Sequence, residues 1–180
     1  DRKLMLAALR NGVGKPANAG FVPSGLPSHD PNKVFGYTYN PDSARALISK
    51  AGFGSNNPMP EIELFTNKDY LDLTTFIARQ WQEIGIKTKI EVLESSILRD
   101  GMRKSSIPFF RASWIADYPD PENFLTLFYG DNPAPPNYTR FKNAKFDYLY
   151  QLATTTTNKQ NRKNLYAQLD SIIIDEAPVV

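Results

Sequence analysis

Between Glu61 and Leu93 the chain changes its hydrophobic period twice, and this restricts the fold more than any other feature of the sequence. Glu61-Ile-Glu-Leu-Phe-Thr66 begins by alternating charged and apolar residues, the pattern of a strand with one wet face. Tyr70, Leu73, Ile77, Trp81 and Ile84 then recur at helical spacing, which predicts a helix over about Asp69 to Ile84, capped by Asn67 and ended by Gly85. Ile86-Lys-Thr-Lys-Ile-Glu-Val-Leu93 returns to a period of two. Strand, helix and strand in so short a span make a βαβ unit, because parallel neighbours need a crossover connection. The plan repeats with a short helix after Ser95 and Ser96, turning Ile97, Leu98 and Met102 inward, and a strand through Phe109, Phe110, Ala112 and Trp114. The expected fold class is α/β, a mainly parallel sheet flanked by helices.

The flanks read more simply. A helix runs from Asp1 to about Asn11 and stops at Asn11-Gly12 and Gly14. From Gly12 to Tyr39 prolines and glycines forbid regular structure, while Phe21, Val22, Leu26, Phe35, Tyr37 and Tyr39 supply apolar weight; residues 12–39 are expected to wrap as an irregular loop. Asn40-Pro41 opens a helix that Gly52 closes, with Ala44, Leu47, Ile48 and Ala51 expected as its buried face. Helices follow over about Phe124 to Tyr129, Lys145 to Thr155 and Lys159 to Asp175, the last capped by Asn158 after a threonine turn. Residues 1–180 are read as a single α/β lobe.

Composition removes several classes. The net charge is +2, with both signs interspersed, so no basic stripe for nucleic acid exists. Without cysteine there is neither a disulfide framework nor a thiolate metal site. No apolar run approaches the roughly 18 residues a membrane span needs. His29 is the single histidine; beside Ser28 and Asp30 it cannot form a triad, since sequence neighbours do not reach that geometry, and it cannot build a multi-histidine metal site. Asp117, Asp120 and Glu122 miss the calcium-loop spacing, and no phosphate-binding loop of the G-x-x-x-x-G-K-[ST] kind occurs. No cofactor, metal or catalytic residue is assigned.

The chemistry concentrates in Arg111-Ala-Ser-Trp-Ile-Ala-Asp-Tyr-Pro-Asp-Pro-Glu-Asn-Phe-Leu125, where an apolar run becomes a loop rich in aromatic, acidic and proline residues. It resembles the W-x-A-D-Y-x-D-P-x-x-F-L signature of the family 5 solute-binding proteins of bacterial ABC importers. Phe21-Val-Pro-Ser-Gly-Leu-Pro27 is similar to that family's V-P-P-G-L-P loop, Tyr39 to Phe53 to its Y-D-P-x-K-A-R-x-L-L-x-x-A-G-Y helix, and Asp175-Glu-Ala-Pro178 to its D-x-A-P segment. These words stand in the family's order along nearly the whole chain. The resemblance implies one lobe of a periplasmic-binding-protein-like architecture, of type II in the cluster with an extra domain. It also implies an excised piece, most of the C-terminal lobe of a longer two-lobed protein whose signal or lipid anchor lies elsewhere. The function implied is non-enzymatic: capture of peptides for import, in the periplasm or attached to the cell surface, with an ABC-importer membrane permease as partner. Nickel complexes, haem and oligosaccharides are the alternative ligands within the family.

Open α/β sheets hold ligands at the carboxyl ends of their strands, which points to the same loop. Asp117 either caps the turn that follows or meets a ligand ammonium; the resemblance implies the second, within an Ala116-Asp117-Tyr118 triplet. Trp114 is either a core residue or the wall of the pocket. Arg111 matches a position where some oligopeptide receptors carry an arginine for the peptide carboxylate, and otherwise reads as an exposed strand residue. Asp120 and Glu122, between Pro119 and Pro121, read as a turn. A hydrolase using the acids of residues 117–122 is the rival from another class.

Overall fold

The computed structural model describes residues 1–180, which divide into two compact units: Asp1–Pro16 with Thr38–Ser113, and Ala17–Tyr37 with Trp114–Val180. No helix is long and apolar enough to cross a membrane.

The first unit carries the βαβ element. Strands β1 (Ile62–Thr66) and β2 (Thr88–Val92) pair in parallel, with Ile62 opposite Thr88 and Thr66 opposite Val92. Helix α3 (Leu71–Glu83) crosses between them, and Trp81 stacks on Phe109 with ring centroids 5.8 Å apart. The expected third strand is reduced to one parallel bridge between Phe65 and Phe110: Phe65 N–H donates to the Phe109 carbonyl at 3.0 Å, and Arg111 N–H to that of Phe65 at 2.8 Å. Beyond it Ala112 and Ser113 are exposed, and without apolar packing the pairing does not continue. Asn67 does not cap α3 through its side chain. Its carbonyl closes a 3₁₀ turn, Lys68–Tyr70, that leads into the helix, and its Nδ2 donates to Ser95 Oγ at 2.9 Å. Helix α4 (Ser95–Lys104) buries Leu98 and Met102 as expected, whereas Ile97, also expected to turn inward, is 57% exposed.

Two peripheral helices complete this unit. Helix α1 (Arg2–Arg10) is capped by the Asp1 carboxylate and ends at Asn11 in the left-handed region. Helix α2 (Pro41–Lys50) starts where predicted, the Asn40 side chain accepting from Ser43 N–H at 2.9 Å. Its expected core face is corrected: Leu47 is 65% exposed, Ala51 is exposed, and only Ala44 and Ile48 are half-buried. A polar contact ties it to α3, the Arg45 guanidinium donating to the Glu83 carbonyl at 3.3 Å.

The second unit is helical around an aromatic core. A short helix α5 (Glu122–Leu125) and a 3₁₀ turn, Thr126–Phe128, bury Leu125 and Phe128; α6 (Ala144–Thr155) and α7 (Lys159–Glu176) pack on one another and contribute Phe146, Leu149, Tyr150, Leu169 and Ile173. Asn143 and Asn158 cap α6 and α7. The loop of residues 17–37 has no helix or strand, yet inserts Val22 and Val34 into the interior. Asp170 on α7 holds it, accepting from Phe21 N–H at 2.6 Å. Gly20, at φ +85°, leaves the space that this carboxylate occupies: a Cβ there would lie 2.1 Å from Asp170 Oδ2.

Candidate functional site

Loop residues 114–121 are anchored from below. Leu125 and Phe128 are almost fully buried, so α5 is fixed to the core and Asn123 is carried into the interior, 3% exposed. The Asn123 carbonyl oxygen accepts from the Trp114 indole Nε1–H at 2.8 Å and from the Asp117 backbone N–H at 3.2 Å. Two N–H donors on one atom identify it as the oxygen, since an amide nitrogen accepts from neither.

Around this hub the acidic residues divide. The Tyr118 and Tyr150 hydroxyls each donate to one oxygen of the Glu122 carboxylate. Asp120 forms the turn, accepting from Glu122 N–H at 2.9 Å, and pairs with the Arg162 guanidinium at 3.1 Å; Arg162 in turn donates to the Tyr166 hydroxyl at 2.9 Å. Burial, with help from Glu122, pushes the Tyr150 phenol well up, and burial beside Asp120 pushes Tyr166 up to about 12. Tyr118 is raised by its bond to Glu122 and then by burial. All three phenols keep their protons at neutral pH; Tyr118 and Tyr150 donate to Glu122, while the Tyr166 hydroxyl accepts from Arg162. Glu122 and Asp120 are thus committed to internal partners, whereas the Asp117 side chain is exposed and only its backbone is tied down.

Of the five residues singled out from sequence, Trp114, Ala116, Asp117 and Tyr118 therefore share one loop of the second unit. Trp114 and Ala116 are half-buried; Asp117 and Tyr118 are exposed. The turn is made by Asp120, not by Asp117. Arg111 belongs to the first unit, where its guanidinium carbon lies over the Tyr70 ring, 3.1 Å from the centroid. Asn123 escaped sequence reading because an asparagine beside two prolines looks like turn punctuation. The available signal was its place directly before the apolar Phe124-Leu125 pair, of which Leu125 is buried.

The first unit has its own concavity at the carboxyl ends of β1 and β2, a crevice of about 590 Å³ lined by Asn67, Lys68, Asp69, Glu94 and Ser95 among others. It lies where open parallel sheets place ligands.

The chain is 28% identical over 183 residues to heme-binding protein A of Haemophilus influenzae, covering 99% of the chain and 33% of that protein. It is also 28% identical over 188 residues to the periplasmic murein peptide-binding protein MppA of Escherichia coli, covering 99% of the chain and 34% of that protein. The chain thus spans about a third of the length of these relatives. The solved structure of HbpA2 from Haemophilus parasuis superimposes with a TM-score of 0.88 at 26% identity, over 99% of this chain and 36% of that one. The fold is that of part of a periplasmic binding protein. Residues 1–136 match the profile of the bacterial extracellular solute-binding proteins, family 5 middle region, and the chain belongs to that family.

Proposed function

We propose that this chain is a ligand-capturing part of an ABC-importer receptor for peptides, with Asp117 as the anchor for the ligand's amino terminus and Trp114 and Tyr118 as apolar surface beside it. The observation that supports it is the division of labour in the loop: Asp120 and Glu122 are used internally, while Asp117 presents a carboxylate from a fixed backbone. Peptide ligands fit the names of relatives such as MppA and the oligopeptide-binding protein of Bacillus subtilis. An exposed ion pair contributes only about 0–1 kcal/mol, so the anchor becomes strong when the rest of a receptor closes over it and excludes water. Such a receptor works outside the cytoplasmic membrane and hands its ligand to a membrane permease. Main-chain hydrogen bonds to an extended ligand would give affinity with tolerance of side chains.

Calorimetry of a tripeptide with the receptor that closes over this loop tests this. Asp117→Ala is expected to weaken binding at least tenfold, given about 2–5 kcal/mol for truncating one partner of a desolvated charge pair. Unchanged affinity removes the anchor role. Binding of haem in place of peptide would move the chain toward the ligand named for the Haemophilus influenzae relative.

A further inference from the structure

We propose that Asn123 is the positioning residue of this loop, setting the Trp114 ring and the Asp117 backbone together so that the loop discriminates a free amine from a blocked one. The inference rests on the reading of Asp117 as an amine anchor and adds the residue that holds it. The geometry is specific to Asn123. It is buried, and its oxygen accepts from both residues at once. One side chain thus joins two residues that are three positions apart in sequence and have no regular structure of their own. A carboxylate at the end of an irregular loop samples many positions. Fixing its backbone N–H, and the indole beside it, removes that freedom before the ligand arrives, and preorganisation of this kind raises affinity without a new ligand contact.

The position of Asn123 sets the range of substitutes. Alanine removes the shared acceptor. Aspartate keeps an oxygen able to accept from both N–H groups.

The test uses trialanine and N-acetyl-trialanine as probes, with the indole N–H resonances of the two tryptophans as structural reporters. Trp81 lies in the first unit and serves as the reference. In a receptor that closes over this loop trialanine is expected to bind at least about tenfold more tightly than the acetylated form, and the Trp114 indole N–H to exchange slowly with solvent. Asn123→Ala should reduce that ratio to about threefold or less and speed exchange at Trp114, while Trp81 is unchanged. Asn123→Asp should keep both the slow exchange and most of the ratio. A purely structural role would lower the affinities for both probes equally, and that result overturns the proposal. So does Asn123→Ala with an unaltered ratio. If the alanine variant does not fold, the aspartate variant decides, because loss of discrimination with the acceptor still present contradicts positioning through that acceptor. If the closing receptor with Asn123 intact does not distinguish the two peptides, the anchor reading of Asp117 fails, and unchanged indole exchange in Asn123→Ala would separately refute Asn123.

Discussion

At the scale of single residues, buried amides and carboxylates hold the irregular segments of the second unit. Asn137, 1% exposed, donates to the Tyr129 and Phe141 carbonyls at 3.2 and 3.0 Å and accepts from Phe141 N–H, closing the proline-rich loop before α6. Asp147 accepts from Gly130 N–H at 2.7 Å, and Asp170 fixes residues 21 and 22. In each case backbone groups that no helix or strand satisfies find a side-chain partner instead. Asp170→Ala leaves the Phe21 and Val22 N–H groups without their acceptor, and urea titration is expected to show a loss of about 1–3 kcal/mol. The carboxyl group also carries a pH signature. Burial raises its pKa above the ordinary 3.8, against the lowering effect of the two N–H donors. A raised folded-state value means that the folded protein holds this proton more tightly. The associated stability is complete below the unfolded-state value and is lost as pH rises from there through the raised value. Relative to an Asp170→Asn variant, the parent should lose stability across that interval and run parallel above it. Parallel curves throughout would show that Asp170 is not desolvated.

At the scale of elements, α2 and α7 bracket the range of what a helix contributes here. Neither the capping residue nor the proline at its start distinguishes α2 from a core helix, yet none of its residues is buried. Leu47→Ala should therefore change stability by no more than about 0.5 kcal/mol in a denaturation series. Helix α7 buries Tyr166, Ala167, Leu169, Asp170 and Ile173, and Leu169 is 0% exposed. Leu169→Ala should cost about 2–5 kcal/mol by the same measurement. Equal effects at the two leucines would mean that the burial pattern does not describe the folded chain in solution.

At the scale of the whole molecule, the two units are unequally endowed. The buried hydrophobic residues of the first are Leu64, Leu98, Met102 and Ile107; those of the second number twelve, including Phe128, Phe146, Tyr150 and Tyr166. Burial of apolar area is the main stabilising contribution, so the second unit is expected to resist denaturant longer. Each unit has one tryptophan to report it. Trp114→Phe leaves Trp81 to follow the first unit, and Trp81→Phe leaves Trp114 to follow the second. The fluorescence midpoint seen through Trp81 should fall at lower urea than that seen through Trp114. Coincident midpoints would show a single cooperative block.

Local rules were sufficient for most of the elements. Asn40-Pro41, Asn143 and Asn158 start helices because an asparagine oxygen satisfies orphan amide groups of the first turn, and that chemistry needs only a few neighbouring residues. The strands Ile62–Thr66 and Thr88–Val92 are legible for a similar reason, since a period of two is read from adjacent residues alone. The loop of residues 114–118 stood out by its residue types. Tertiary structure decided what depends on partners distant along the chain. It left Leu47 in water, cut the third strand to one bridge, stacked Arg111 on Tyr70 and gave Glu122 to Tyr150, 28 residues away. Burial and the sharing of a hydrogen-bond acceptor are properties of packed neighbours, so the place of Asn123 beneath Trp114 and Asp117 exists only once α5 is seated on the core.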